Sequence, residues 1–169
     1  MKAIVCMTPM KGIGYHNKLP WKSKEDLKFF KEMTIGKGNN AVVMGYNTFQ
    51  SLGYRGLPNR RNYVMTRNPR HCSDAFKNDI VFESSVDNIL LLNFIFDDVF
   101  IIGGESIYKL FEPYCCEVYV TVIHRSCCVD TFFPMNLEYH KKEKIKSINE
   151  EGTQLEFFKY IKPSPEEFL

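Results

Sequence analysis

The segment DVFIIGGESIY, residues 98–108, joins three local patterns that together indicate the fold class. It begins with an apolar run rich in β-branched residues, which is typical of a buried strand, and we predict a strand over 98–104. The run ends in two glycines and passes directly into a helical pattern, predicted over 105–111. A strand that turns through glycines into a helix is the repeating unit of α/β sheets.

The same alternation continues outward along most of the chain. Further strands are predicted at AIVCM (3–7), AVVMG (41–45), NYVMT (62–66), DIVF (79–82) and EVYVTVI (117–123). Helical patterns lie between most of them, at 23–34, 47–52 and 86–94. Apolar strands separated by helices favour an α/β fold whose largely parallel sheet is covered by helices.

The C-terminal part of the chain has a different pattern. The runs EKIKSI (143–148) and LEFFKYI (155–161) alternate in polarity on either side of Asn149-Glu150-Glu151-Gly152. This pattern predicts an antiparallel hairpin that closes the sheet. We therefore expect one domain over 1–162 and a short tail over 163–169.

Length and charge exclude several classes of protein. A chain of 169 residues can bury about 70% of the surface that its unfolded form exposes, so it needs no metal or disulfide to fold. Its 22 basic and 20 acidic residues give a net charge of +2, which is too small to indicate a nucleic-acid surface.

The cysteines and apolar runs bear on the compartment. Six cysteines, two pairs of them adjacent, match neither a zinc knuckle nor a secreted disulfide framework, so we predict buried, reduced thiols and no metal site. The most apolar run, ILLLNFIF (89–96), is far shorter than a membrane span, and the N-terminal run is too short for a signal peptide. We expect a soluble cytoplasmic protein.

Three motifs are candidate anion sites, and each has a purely structural alternative. Gly103-Gly104 before a helix would expose backbone N–H groups to a phosphate, although the full GxGxxG spacing of a Rossmann fingerprint is missing. Thr66 and Arg67 end a strand where parallel sheets bind ligands, or they belong to a solvated loop. Arg60 follows a Pro-Asn turn, which would aim its guanidinium at a carboxylate or at solvent.

The stretch GIGYHNKLPWKSKEDLKFF (12–30) contains the single tryptophan, Trp21, five residues before Asp26. Asp26 begins a helical pattern that continues with two phenylalanines. Two interpretations remain open from the residues alone. The carboxylate of Asp26 either interacts favourably with the dipole of the helix or is the functional acid of an apolar pocket.

The order of these motifs resembles the dihydrofolate reductase family. The resemblance runs from residue 3 to residue 161 and is carried by GIGYHNKLPW, DLKFFKEMT, VVMGYNTFQSL, LPNRRNYVMTR, VFIIGGESIY, VYVT and DTFFP. It implies an eight-stranded, mostly parallel twisted sheet with flanking helices and an antiparallel C-terminal strand. It also implies NADPH-dependent reduction of 7,8-dihydrofolate to tetrahydrofolate for one-carbon metabolism, antifolate inhibitors as ligands, and a monomer that binds neither nucleic acid nor membrane.

The resemblance also implies site residues. Asp26 matches the family's acid, and Trp21 would hold a water near it, in a lid formed by residues 8–21. The substrate would contact Ile4, Val5, Asp26, Leu27, Phe30, Leu52, Arg60, Ile102 and Thr121. Arg60 would capture the α-carboxylate of the glutamate. The positions matched to NADPH contacts are Cys6, Ile13, Gly14, Gly45, Thr48, Thr66, Arg67, Gly103, Gly104, Glu105, Ser106, Ile107 and Tyr108.

The chain departs from the family pattern at the cofactor positions. Tyr46 and Ser84 stand where basic residues are common, and Glu105 adds a negative charge. These differences bear on the preference for NADPH over NADH. Two alternatives are a pyrimidinone reductase of riboflavin synthesis with the same fold and a non-enzymatic binding protein. The first does not need Asp26 or Arg60, and the second would have lost the acid or Trp21.

Overall fold

The computed structural model of the chain describes residues 1–70 and 80–168. Its main sheet has eight strands in the order β5-β4-β3-β6-β1-β7-β10-β9. Their bounds are β1 Lys2–Met7, β3 Asn40–Gly45, β4 Arg61–Met65, β5 Ile80–Glu83, β6 Asp98–Ile101, β7 Glu117–Ile123, β9 Lys141–Glu150 and β10 Thr153–Ile161. The predicted strand at 79–82 begins at Ile80, since residue 79 lies outside the described residues, as does Cys72.

Strand direction agrees with the sequence patterns. The pairs β5-β4, β4-β3, β3-β6, β6-β1 and β1-β7 are all parallel. The last two strands are different, because β10 is antiparallel to both β7 and β9. The predictions of a mostly parallel eight-stranded sheet and a C-terminal hairpin are confirmed.

Helices cover the sheet, and their bounds are α1 Lys24–Ile35, α2 Tyr46–Ser51, α3 Val86–Leu90 and α4 Glu105–Phe111. The helix predicted over 86–94 changes to a 3-10 helix at Leu91–Phe94. The strand predicted over 98–104 ends at Ile101, because Gly103 has a φ of +115° and leaves the extended conformation. A small second sheet was not predicted; in it β2 (Gly12–Gly14) pairs with β8 (Thr131–Phe132).

The core lies on both faces of the sheet. Alternate residues of β1 divide between the faces: Ala3 and Val5 join one buried cluster, and Ile4 joins the other. Val43 and Val42 of β3 divide in the same way. A strand with both faces buried must be apolar at every position, which explains the uninterrupted apolar runs in the sequence.

The cysteine prediction is confirmed only in part. The described cysteines are free thiols, and Cys115 is buried. Cys116 and Cys128 are exposed, so the expectation of burial was wrong for them.

Among residues 1–70 and 80–168, no cluster of His, Cys, Asp and Glu has the geometry to hold a metal ion. No helix within those residues has both the length and the apolar character to cross a membrane.

Two adjacent asparagines after α1, Asn39 and Asn40, make very different contacts. Asn40 is 2% exposed; its Nδ2 donates to Thr34 O at 3.1 Å, and its Oδ1 accepts from Asp98 N at 3.1 Å. It therefore joins the end of α1 to β3 and β6. Asn39 is exposed, and its side chain makes one long contact of 3.4 Å with Asp97.

Asn40→Ala is expected to lower the free energy of unfolding by about 1–3 kcal/mol, because it leaves a buried carbonyl and a buried N–H without partners. Asn39→Ala, the matched control, should change it by less than about 0.5 kcal/mol. Urea unfolding of both variants measures the difference. Equal losses would contradict the assigned role of Asn40.

Candidate active site

A cleft of about 1660 Å³ opens at the carboxyl ends of the parallel strands. Ligands of α/β sheets bind at this edge, because the loops that leave the strands diverge there. The predicted site residues that line it are Ile4, Val5, Cys6, Ile13, Gly14, Asp26, Leu27, Phe30, Gly45, Thr48, Leu52, Arg60, Thr66, Arg67, Ile102, Gly103, Gly104, Glu105, Ser106, Ile107 and Tyr108. Trp21 and Thr121 do not line the cleft in this structure.

Asp26 is half-buried on the first turn of α1, where its side chain faces the cleft. Burial raises the pKa of its carboxyl group, because removal from water disfavours the charged form. Hydrogen bonding from Thr121 and Cys6 lowers this pKa, and the negative charge of Glu150 raises it further. The net result is a carboxylic acid inside an apolar cleft whose pKa is raised above its ordinary value.

Trp21 and Thr121 lie behind this acid in the protein interior. Trp21 is 4% exposed and Thr121 is 1% exposed. Among the described residues, neither Trp21 Nε1 nor Thr121 Oγ1 has a partner that meets strict hydrogen-bond geometry. Thr121 on β7 is the register partner of Cys6 on β1, which explains why both groups affect Asp26. These two predicted residues therefore support Asp26 from behind and are not part of the cleft wall.

Apolar side chains form the walls on either side of the acid. Leu27 remains 57% exposed and Leu52 remains 37% exposed, although both are large and apolar. Both line the cleft together with Phe30 and Ile102. Exposed apolar surface inside a concave site is typical of a pocket for a flat organic ligand.

Arg60 is the cation at the α1 side of the cleft. Its Nε donates to Pro58 O at 2.9 Å, and its Nη1 donates to Thr34 Oγ1 at 2.9 Å. Partial burial lowers the pKa of its guanidinium, which still leaves the group charged at neutral pH. Because two of its N–H groups donate to the protein, the guanidinium of Arg60 is fixed in orientation. Lys31, which the sequence analysis did not identify, also lines this part of the cleft.

Asn62 is a second residue that the sequence analysis missed. It is 1% exposed, and its Nδ2 donates to Leu57 O at 2.9 Å and to Arg60 O at 3.0 Å. Its Oδ1 accepts from Leu57 N at 2.8 Å. One buried amide therefore shapes the whole turn that carries Arg60. A polar residue at the start of an otherwise apolar strand pattern was the available signal.

The glycines of the cleft allow two backbone segments to approach closely. Gly45 N donates to Gly103 O at 2.8 Å, which joins the end of β3 to the loop after β6. A Cβ atom at Gly45 would lie 2.9 Å from Ile107, and one at Gly103 would lie 3.2 Å from Tyr108. The peptide bond from Gly103 to Gly104 is cis. Side chains at these positions would fill the groove between β3 and α4.

Polar groups surround that groove. Thr48 lies on α2, and Ser106 and Glu105 lie in the first turn of α4. Glu105 is exposed; in the sequence its charge seemed unfavourable, but a carboxylate in a first helical turn interacts favourably with the helix dipole. Thr66 is half-buried, and Arg67 is exposed at the end of β4. Tyr46 and Ser84, the two departures from the family pattern, also line the cleft.

The segment at 8–21 forms another wall of the cleft. Ile13 and Gly14 lie in β2, which pairs with β8. Beyond β2, His16 N donates to Asp130 Oδ2 at 2.9 Å, and Asp130 N donates to Gly14 O at 2.9 Å. These contacts fix one end of the segment to the loop before β8.

Tyr108 lies deeper than the other residues of α4. It is 4% exposed, and its hydroxyl donates to Ile4 O at 2.8 Å. Burial raises the pKa of this phenol, so it stays protonated. Tyr108 therefore fixes α4 against β1 at the floor of the cleft.

Comparisons with known proteins agree on one family. The family profile described as Dihydrofolate reductase matches residues 1–162. The dihydrofolate reductase of Staphylococcus haemolyticus is 34% identical over 164 residues, which cover 94% of this chain and 92% of that protein. A bifunctional dihydrofolate reductase-thymidylate synthase of Paramecium tetraurelia is 34% identical over 152 residues, 86% of this chain but 31% of that longer protein.

A solved structure gives the same result. The dihydrofolate reductase from Enterococcus faecalis, complexed with NADP(H) and RAB-propyl, is 34% identical in sequence to this chain. Its TM-score is 0.79, and the match covers 95% of this chain and 94% of that one.

Asp26→Asn is expected to stabilise the folded protein at pH 7. The pKa of Asp26 is raised on folding, so the folded state binds the proton more tightly than the unfolded state, and ionisation above the unfolded pKa of about 3.9 costs stability. The amide removes this cost. The gain should therefore shrink as the pH falls through about 4 and disappear at lower pH, where both states of the parent are protonated.

Urea unfolding at a series of pH values measures this gain. Glu25→Gln is the matched control, because Glu25 lies in the same turn of α1 but not in the cleft. It should not gain stability at pH 7. A gain for Asp26→Asn that is independent of pH would show that the carboxylate is not penalised by burial.

Proposed function

The chain belongs to the dihydrofolate reductase family, and we propose that the cleft beside Asp26 is where it reduces 7,8-dihydrofolate. It is an NADPH-dependent oxidoreductase, and its product, tetrahydrofolate, serves one-carbon metabolism. Dihydrofolate and antifolate inhibitors are its ligands, as in the family. The observation that carries the assignment of the site is the pairing of a buried acid, Asp26, with a fixed cation, Arg60, in one apolar cleft.

The two charged groups suit the two polar parts of dihydrofolate. Asp26 would accept hydrogen bonds from N3 and the 2-amino group of the pteridine, a pair of donors that matches the two oxygens of one carboxylate. Arg60 would bind the α-carboxylate of the glutamate through its outward-facing N–H groups. Between them the apolar walls, which include Leu27, Phe30 and Leu52, would hold the rings.

The remaining groove fits NADPH by its shape and donors. The main chain at Gly45, Gly103 and Gly104 lines the groove without side chains of its own, which would let a dinucleotide backbone approach, and Thr48 and Ser106 offer hydroxyl groups along it. Thr66 and Arg67 would bind the 2′-phosphate, since a guanidinium and a hydroxyl both donate to phosphate oxygens. When bound, NADPH supplies the hydride that reduces C6 of the substrate.

The protein's own contribution is orientation and the handling of the proton for N5. Burial raises the pKa of Asp26, and the hydrogen bonds of this group to the ring would increase the basicity of the pteridine. Trp21 Nε1 is buried and has no hydrogen-bond acceptor of good geometry among the described residues, which supports a role in holding water beside Asp26. The walls at 8–21 and α4 exclude bulk water and align the reactants.

We also propose that residues 1–162 act as a single domain and that the protein is a cytoplasmic monomer. The eight-stranded sheet is continuous from Lys2 to Ile161, and one chain provides the whole cleft. Free thiols at the described cysteines are typical of a reducing compartment.

The activity is tested by loss of absorbance at 340 nm with NADPH and dihydrofolate together, compared with each alone. Asp26→Asn should bind NADPH normally but lose most of the hydride step at neutral pH, because it has no ionisable proton. Its activity should rise with acidity below the range where the parent levels off. Glu25→Gln should behave like the parent. Full activity of Asp26→Asn, with a superimposable pH profile, would contradict the role of Asp26.

Arg60→Leu is expected to raise KM for dihydrofolate by roughly 10- to 150-fold, the equivalent of about 1.5–3 kcal/mol for hydrogen bonds to a charged group. A dihydropterin without the glutamate should be affected much less, since it never makes the contact. Arg61→Leu changes the neighbouring exposed arginine on β4 and serves as the control. Similar losses for both substrates would show that Arg60 does not bind the glutamate.

A further inference from the structure

Glu150, the last residue of β9, contacts the beginning of α1 from the opposite end of the chain. Ser23 Oγ donates to Glu150 Oε2, and Lys24 N and Glu25 N approach Glu150 Oε1 at 2.8 Å and 3.3 Å. The first N–H groups of a helix have no partner within the helix. One carboxylate, 126 residues away from Lys24, therefore satisfies the start of the helix that carries Asp26.

Ser23 connects this carboxylate directly to the acid's own backbone. Ser23 Oγ accepts a hydrogen bond from Asp26 N at 3.0 Å while its hydroxyl hydrogen is directed to Glu150. Ser23 is 5% exposed, so its hydroxyl is largely shielded from water, whereas the carboxylate of Glu150 remains partly exposed. Only one hydroxyl group separates Glu150 from the backbone of Asp26.

The hairpin that carries Glu150 turns through Glu151 and Gly152. Glu151 and Gly152 have φ values of +50° and +84°, as in the two-residue turns that match the twist of paired strands. Asn149 Oδ1 accepts from Gly152 N at 3.0 Å, and β9 pairs with β10 along its length. This turn places the carboxylate of Glu150 at the beginning of α1.

We propose that Glu150 is a positioning residue for the reductase reaction: it fixes the first turn of α1 so that Asp26 faces the substrate, and its negative charge favours the protonated form of Asp26. This inference rests on the proposed function of Asp26. It adds a residue from the C-terminal hairpin that lies outside the cleft lining.

The charges around both groups agree with this role. Hydrogen bonds from Ser23 and from the N–H groups of α1 lower the pKa of Glu150, so it is ionised at neutral pH. Besides burial, which is the main cause, this anion raises the pKa of Asp26. The other titratable groups that interact with Asp26 are the Cys6 thiol of β1 and the Tyr108 phenol of α4. Burial raises the pKa of both, so neither adds a negative charge at neutral pH.

The test compares single-turnover pH profiles of hydride transfer in three variants of the full chain. Glu150→Gln keeps the shape of the side chain and one of its two acceptor oxygens but removes the charge. Glu150→Ala removes the acceptor oxygens as well as the charge. Glu151→Gln is the matched control, since it removes a charge from the adjacent exposed carboxylate of the same turn.

Glu150→Gln should keep the parent's rate on the acidic plateau, while the decline of activity with rising pH should shift to lower pH. Removal of the nearby anion makes Asp26 easier to ionise, which gives the shift this direction. Glu150→Ala should show the same shift and also a lower plateau, because the first turn of α1 loses its cap. Glu151→Gln should match the parent. In an Asp26→Asn background, Glu150→Gln should produce no shift.

The other outcomes overturn the inference in distinguishable ways. If Asp26→Asn loses the parent's acidic plateau but Glu150→Gln leaves the parent's decline unmoved, Glu150 does not act on Asp26, and the proposed function stands. If Glu151→Gln shifts the profile as much as Glu150→Gln, the effect is general surface charge and the inference fails. If Asp26→Asn keeps the parent's plateau and the same midpoint of decline, the proposed role of Asp26 fails and the inference fails with it.

Discussion

Parallel pairing of β1, β3, β4 and β6 is the constraint on which the rest of this structure depends. Because these strands run in one direction, all of them end at the same edge of the sheet, and the segments that leave them must diverge there. The hydrogen bond from Gly45 N to Gly103 O joins two of these strand ends without side chains between them. The cleft, its apolar walls and its backbone groove all follow from that arrangement.

Placing an acid in such a cleft has an energetic cost that the surrounding structure offsets only in part. Burial opposes ionisation of Asp26, and the nearby Thr121 and Cys6 favour the ionised form. Glu150 acts in the same direction as burial while it stabilises the helix that holds Asp26 in place. A residue that is unfavourable for stability when ionised is thus kept in position by contacts outside the cleft, as is common where chemistry and stability compete.

The sequence predicted the fold class and most of the cleft, for reasons visible in particular residues. The apolar runs at 41–45 and 117–123 reflect strands buried on both faces, so their type was clear without any contact information. Boundaries were less certain: the strand from Asp98 ends three residues early because Gly103 turns the chain. The small sheet of β2 and β8 was missed, since a strand of two or three residues has no periodicity to detect.

The sequence by itself determined the order of strands and helices and the family, and it predicted Asp26 and Arg60 as candidate site residues, because these depend on local periodicity and on short motifs. Only the tertiary structure decided which distant groups position Asp26 and Arg60. Asn62 shapes the turn of Arg60 through bonds to Leu57 and Arg60, and Glu150 reaches the start of α1 across more than a hundred residues. A hydrogen bond between remote segments leaves no repeat or spacing in the sequence, since it depends on how the sheet brings the two backbones together.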